Sequence, residues 1–548
     1  MRKLVSLLIL SLLLNLTATV NILDNDSASW LVSYIDENPR STYDYAYYIS
    51  NLTINNTISH YSYRVAGSPG EKAVADWLEN ILSEWGFNVV IEEFDFISWD
   101  IYSGPKIQVF WDDNTSETFR VYPEHYSYGF NENITVQIVY LPLPRYFRYD
   151  PLPDKIKEKW YNINTSGKIV LVGREVMFNN DWAAMYFDKI SFEKPIAILY
   201  TWMTENFSSY PRFHSSTGGR KYVVYRDLKL PTAWIDSTLA RDIMRRIDNN
   251  ETVFGQLMIP INESWGNKIE NIVFTIPGRD KSKQLLITAH YDSVMTPALC
   301  DNGAGVAGVL ELAQVFLKAY KENVYVPPIN LTFVLFTAEE AGLIGSAMYV
   351  YQHLNELDSI VGVVNIDSIG SYVLSVSWSD VVMRTPAGES IHPEDIAEEI
   401  CFDLDVPIIL EPPMISSDHA SFLYPKQVGL LIANWWPEIT IDLSTTERRP
   451  AIMFSSQPYI PWQNLDSYRG WIHTPYDNAT STATFDWVNP TRLETQVKVI
   501  GLTILDILTH FEPVSPSGKN IDPVLVISFI GVLVVILIVF IKFRKRAI

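Results

Sequence analysis

Residues 285–312 read LLITAHYDSVMTPALCDNGAGVAGVLEL. An apolar, strand-like run ends on His290-Tyr291-Asp292. After Asp301-Asn302-Gly303-Ala304-Gly305, a Gly/Ala-rich stretch continues as a helix through 306–312. Strand followed by helix is the repeating unit of an α/β sheet. Strand signals return in FVLFTAEEAGLIGS at 333–346 and VVNIDSIG at 363–370. The expected fold class is therefore α/β, with a mixed, mostly parallel sheet and helices on both faces.

Five residues with metal-binding side chains sit at or beside the ends of these runs: His290, Asp301, Glu340, Asp367 and, in WIHTPYDN at 471–478, His473. Each has an ordinary explanation when taken singly. His290 could be a satisfied core histidine, Asp301 a helix N-cap, Glu339-Glu340 a solvated loop pair, Asp367 a turn residue, and His473 by itself says nothing. Their conjunction carries the weight. Unpaired acids at three buried strand ends would each cost several kcal/mol, so they require a shared partner. Two imidazoles and three carboxylates suit two hydrolytic zinc ions with one carboxylate bridging. Ligands at strand carboxyl ends also follow the rule for open α/β sheets.

The ordered signatures HxD, D-N-G-x-G, E-E-x-G-x-x-G-S, N-x-D and H-T-P-x-D resemble those of the M28 family of zinc peptidases, the aminopeptidase and glutamate-carboxypeptidase group. Arg64-Val65-Ala66-Gly67-Ser68-Pro69-Gly70-Glu71, followed by a helix-period run, is similar to the start of that domain. Ser417-Asp418-His419-Ala420-Ser421-Phe422 is similar to the family's SDHxxF segment. The resemblance implies two zinc ions per chain. One would be held by His290 and Asp367, the other by Glu340 and His473, with Asp301 bridging. Glu339 would be the general base, and Asp292 would support His290 from behind. A non-proline cis peptide at Asp301–Asn302 is implied as well. One departure is visible: well-studied members have an oxyanion-stabilising tyrosine before the late histidine, where this chain has Ile472. Cys300 reads as a small buried hydrophobe, and the contiguous Ser417-Asp418-His419 cannot fold back into a nucleophilic triad.

The tract at 98–263 lacks metal-type clusters and is rich in Tyr, Trp and short β-type runs. Its GKIVLV and LPTAWID stretches resemble a protease-associated (PA) domain, expected here as a β-rich insert that roofs the site or serves as a spacer. A formal net charge of -21 argues against nucleic acid as a partner. Two cysteines provide no disulfide framework. Arg2-Lys3 followed by an apolar run at 4–14 reads as a secretory signal. The apolar stretch 524–541, closed by Lys542, Arg544, Lys545 and Arg546, reads as a membrane span with a cytoplasmic tail. Sequons such as those at Asn51, Asn133, Asn206 and Asn478 suit export.

The expected organisation is a signal peptide at 1–20, peptidase parts at 30–99 and 266–512, a PA-like insert at 100–265, a linker at 513–522, a transmembrane helix at 523–541 and a basic tail at 542–548. The favoured function is a membrane-anchored extracellular dizinc exopeptidase, an aminopeptidase acting on peptide or protein substrates. A carboxypeptidase, a glutaminyl-cyclase-like transferase and an inactive cell-surface binding protein stay open as alternatives.

Overall fold

The computed structural model describes residues 25–512, except 39–40, 56–60, 145–150, 204–228, 437–438, 440–442, 444, 458–471, 475–476 and 480–487. The expected signal peptide, linker, membrane span and basic tail lie outside the described residues. Among the described residues no helix is long and apolar enough to cross a membrane.

An eight-stranded sheet runs in the order Val90–Ile101, Ile261–Ile276, Ile329–Phe336, Asp280–His290, Ile360–Ile366, Ala451–Gln457, Val373–Ser377, Ile408–Glu411. The four central strands pair in parallel, while antiparallel pairs lie on both sides of them. The sheet is mixed, with its parallel part in the middle. Parallel register sets the strand ends level: His290 pairs with Phe336, and Thr288 with Asn365, two residues before Asp367.

Side-chain alternation gives this sheet two buried faces. Leu286, Val334, Phe336 and Val363 join one core with Phe422 and Val428, from the helices His419–Leu423 and Pro425–Trp435, which pack with Ile344–Gln352. The helices Asn25–Asp36, Ser41–Asn55, Gly305–Lys321 and Pro490–Thr509 form a separate packed group that also contacts the sheet. The helix expected after Arg64–Glu71 spans Pro69–Trp85. Ser68 caps it by accepting the Glu71 N–H, Pro69 opens its first turn, and left-handed Gly86 ends it.

Chain segments between the adjacent strands Val90–Ile101 and Ile261–Ile276 build a second eight-stranded sheet, in the order Ser116–Arg120, Lys106–Phe110, Phe254–Met258, Val136–Leu141, Ile169–Gly173, Ala197–Thr201, Thr232–Trp234, Tyr122–Pro123. The four β-type runs that the sequence shows in this tract, at 107–110, 136–140, 168–172 and 197–200, fall on the strands Lys106–Phe110, Val136–Leu141, Ile169–Gly173 and Ala197–Thr201. The tract is less purely β than expected, because it also contains the helices Asp154–Asn162, Asn180–Glu193 and Ser237–Asp248. Parallel neighbours require crossover connections, and the first two of these helices supply them for the pairs on either side of Ile169–Gly173. The strands Val90–Ile101 and Ile261–Ile276 pair along nearly their whole length, from Val90–Val273 to Ile101–Ile261. They run straight through the positions near 99 and 265 where the sequence suggested boundaries. One contiguous core cluster joins this second sheet to the first, from Val170, Trp182 and Trp234 to Phe96, Trp99 and Trp435.

Candidate metal centre

The level strand ends and the loops after them gather all five predicted ligands. His290, Asp301 and Asp367 form one cluster, and Asp301, Glu340 and His473 a second. His290 Nε2 lies 3.3 Å from Asp301 Oδ1 and 3.5 Å from Asp367 Oδ1. His473 Nε2 lies 2.9 Å from Asp301 Oδ2 and 3.1 Å from Glu340 Oε1. Asp301 thus turns one oxygen to each histidine, the disposition of a bridging carboxylate. Ligand atoms about 2.0–2.2 Å from a tetrahedral zinc stand roughly 3.3–3.6 Å apart, so the His290 side matches closely and the His473 side is slightly tighter. Glu339 belongs to neither cluster.

Main-chain amides hold these acids in place. Asp292, besides lying 3.3 Å from His290 Nδ1, accepts the N–H of Glu339 at 3.0 Å and of Glu340 at 3.1 Å. It therefore ties the two strand ends together as well as backing the histidine. Asp477 accepts the N–H of Cys300 at 2.8 Å and of Asp301 at 3.0 Å. The D of H-T-P-x-D carried no role in the sequence reading, yet it fixes the bridging residue. Asn302 Oδ1 accepts from Gly305 and Ser368, and its Nδ2 donates to Ile366. The peptide Asp301–Asn302 is cis, as the resemblance implied. A Cβ on Gly305 would stand 2.5 Å from Ile366 O, and one on Gly345 2.1 Å from Thr337 O. These glycines let the helix starts approach the strand ends. Asn365 links Thr288 to Ser417 through its side chain.

Two residues of the Arg64–Glu71 segment brace the same loops from the rear. Arg64 is fully buried and donates to the carbonyls of Tyr291, Pro297 and Ala298. Glu71 accepts from Tyr291 Oη at 2.8 Å and Thr337 Oγ1 at 2.7 Å, joining the residue after His290 to the loop before Glu339. Burial raises the Glu71 carboxyl to about 7, against the lowering effect of those two donors. Cys300 is buried, as expected, and burial raises its thiol well above the usual range.

The electrostatics describe a site short of positive charge. Burial disfavours a charged His290, but Glu339, Asp292, Asp301 and Asp367 outweigh it and raise the ring well above its usual pKa. His473 likewise is raised to about 10 despite burial, chiefly by Glu340 and Asp301. Burial raises Glu339 and Glu340, whereas the two rings overcome burial at Asp301 and hold it well below the carboxylate range. His290 Nε2 and Glu340 Oε1 are buried without a hydrogen bond. Two divalent cations fit this donor set, since they supply the missing charge and take neutral imidazoles as ligands.

Asp301, Glu340, Asp367 and His473 of the clusters line a cavity of 260 Å³. Glu339, Glu340, Asp367, Glu411, Met414, Met453, Ile472 and His473 are among its walls. Glu411 escaped the sequence reading. It closes the strand Ile408–Glu411 with an acid, the same signal that marked Asp367. Asp418, in the SDHxxF-like segment, is fully buried and does not line this cavity.

The profile of peptidase family M28 matches residues 271–494, a stretch that contains every one of these cluster residues. Residues 271–494 carry an M28 peptidase domain. Aminopeptidase YwaD of Bacillus subtilis is 31% identical over 202 residues, covering 35% of each chain. Leucine aminopeptidase 2 of Arthroderma otae is 24% identical over 388 residues, 66% of each chain. The chain spans only 28–42% of the length of the first curated relatives that it matches. Among solved structures, an M28 peptidase precursor from Shewanella amazonensis superposes with a TM-score of 0.60 at 16% identity, covering 90% of this chain and 97% of that one. An aminopeptidase from Aneurinibacillus sp. strain AM-1 does so with a TM-score of 0.55 at 19% identity, covering 87% and 95%. At such identities the likeness shows that the M28 fold is shared, including most of the chain outside residues 271–494.

Proposed function

We propose that this M28 chain is a zinc-dependent aminopeptidase that holds two metal ions. The observation that carries the proposal is Asp301, with one carboxylate oxygen turned to each of two histidines, His290 buried and His473 half-buried. His290 and Asp367 would hold one zinc ion, Glu340 and His473 the other. When bound, the ions would acidify water and polarise the scissile carbonyl. Glu339 lines the cavity outside both clusters, so its carboxylate is free to take the proton from the attacking water and return it to the leaving amine. Asp292 and Asp477 keep Glu339, Glu340 and Asp301 oriented through main-chain amides.

The cavity chemistry favours a free amino terminus. An α-carboxylate calls for arginine, which pairs with it in bidentate fashion. Among the described residues none of the cavity walls is an arginine. Arg448 and Arg449 pair instead with Asp380 and Asp358, and Arg384 donates to Gly388 O. Glu339, Asp367 and Glu411 suit an ammonium group, while Met414, Met453 and Ile472 suit an apolar side chain. Leucine and YwaD aminopeptidases among the relatives support the same choice. The test combines metal analysis with a peptide panel. About two zinc ions per chain are expected, with hydrolysis abolished by acetylating the peptide amine and retained when its carboxyl is amidated. The converse pattern would make the enzyme a carboxypeptidase. One zinc ion together with cyclisation of amino-terminal glutamine would make it a cyclase.

The second sheet is proposed to be a PA-like insert that walls the site, on the strength of its GKIVLV strand and its shared core with the peptidase sheet. The chain is further proposed to be exported and anchored by 524–541, with the catalytic part outside, on the strength of that apolar run and the basic residues after it. Full-length protein should then require detergent for extraction, whereas a chain ending at residue 512 should not. Equal solubility of the two would refute the anchor.

A further inference from the structure

An acid stands on the side of the cavity away from the metal centre, on the same face of the peptidase sheet as the cavity floor. Asn365, two residues before Asp367, pairs with Met453, Met453 with Ser377, and Ser377 with Glu411. Directly paired residues project to one face of a sheet. Met453 and Glu411 therefore share a face, and Ser375 and Ser455, paired two residues along, share it too. Met453, Ser455 and Glu411 all line the cavity. Three strand spacings of about 4.8 Å put the Glu411 backbone roughly 14 Å from that of Asn365.

The strand Val373–Ser377 holds this acid and the wall after it. Glu411 is 8% exposed, and its Oε2 accepts the Ser375 hydroxyl at 2.7 Å. Its carbonyl accepts the Trp378 N–H at 3.0 Å. Ser377 Oγ donates to Pro412 O and accepts the Met414 N–H, both at 3.1 Å. The turn that carries Met414 to the cavity is thereby fixed to the same strand.

Carboxylate and thioether walls suit different parts of one side chain. Methionines are flexible and polarisable, and they pack well along methylenes. Lysine and arginine bury such a stem while their heads keep a charge. A carboxylate has acceptor sites for about four hydrogen bonds, so the bond from Ser375 is compatible with a charge-assisted one from an ammonium or guanidinium. Among the described residues no lysine or arginine lines the cavity, so the charge that a substrate meets there is negative. A leucine side chain would end against the methionines and bring no charge to offset desolvation of the carboxylate.

We infer that Glu411 selects the first side chain of the substrate, and that the preferred substrates are peptides with an amino-terminal lysine or arginine. The inference rests on the aminopeptidase reading proposed above. The α-ammonium sits on the carbon next to the scissile carbonyl, so it stays at the metal end with Glu339 and Asp367. Glu411, strands away, meets the head of a long side chain, and Met414 and Met453 flank its stem.

The test uses the full chain and dipeptides that differ only in their first residue. Norleucine, which keeps a straight apolar stem without the charge, is the reference for lysine. Wild-type kcat/KM for lysine and for arginine is expected to exceed that for norleucine by about 10–100-fold. Glu411→Gln keeps the shape and an acceptor for Ser375 but removes the charge, so the lysine-to-norleucine ratio should fall to near one. Glu411→Lys should reverse the charge preference and place glutamate above lysine. A wild-type ratio at or below one, or an equal loss for both substrates in Glu411→Gln, would overturn the inference while leaving the aminopeptidase reading intact. Hydrolysis of amine-acetylated peptides alone would overturn that reading and this inference with it.

Discussion

Glu339→Gln is expected to lower turnover by about 10²–10⁴-fold while zinc content stays near two per chain. The amide keeps the shape and hydrogen-bonding capacity of the side chain but cannot accept the proton. Glu339 stands outside both ligand clusters, so removing its charge should leave the metals in place. Its main-chain N–H donates to Asp292 whatever the side chain, so the loop should hold its position. Glu340→Gln is the informative contrast. Glu340 Oε1 faces His473 across the second cluster, and its loss should appear as lost zinc. Equal zinc loss in the two variants, measured by metal analysis after gel filtration, would show that the roles within the pair are reversed or shared.

Asp301→Asn should be more damaging to the metals than any other single change. A carboxylate offers an oxygen to each ion, whereas an amide offers one oxygen and an NH₂ group that repels a cation. Zinc stoichiometry should fall from two toward one or below, and activity should fall by on the order of 10³-fold, the scale of losing a principal electrostatic stabiliser of the transition state. The fold should survive, because Asp477 holds residue 301 by its backbone N–H and Asn302 keeps its bonds to Ile366, Gly305 and Ser368. A variant that retains two tightly bound ions would exclude a bridging role for Asp301.

Much of this centre is legible in the sequence because of the regularity of parallel sheets. Parallel strands in register must end level, so His290, the Glu339-Glu340 pair and Asp367, each at or just past the end of an apolar run, could be expected to meet. Asp301 and His473 were legible only through their order relative to those strands. The loops that carry them have no periodicity of their own. The supporting residues were harder to see. Asp477 acts through backbone amides 176 and 177 residues away, and Arg64 through carbonyls more than 220 residues away. Such contacts leave no local pattern, since a main-chain N–H or C=O looks the same at every position. Glu411 could have been found by the strand-end rule already applied to Asp367.

What the sequence alone determined is the α/β class, the metal-type side chains and their alignment at the ends of the parallel strands. These follow from local periodicity and from the register that parallel pairing enforces. Tertiary structure decided the rest. It set which oxygen of Asp301 faces which histidine, that Glu340 and not Glu339 enters a ligand cluster, and that the core of the second sheet is continuous with that of the first. Those outcomes depend on packing between segments far apart in the chain, where burial removes water as an alternative partner and leaves each charged group only the neighbours that the fold brings to it.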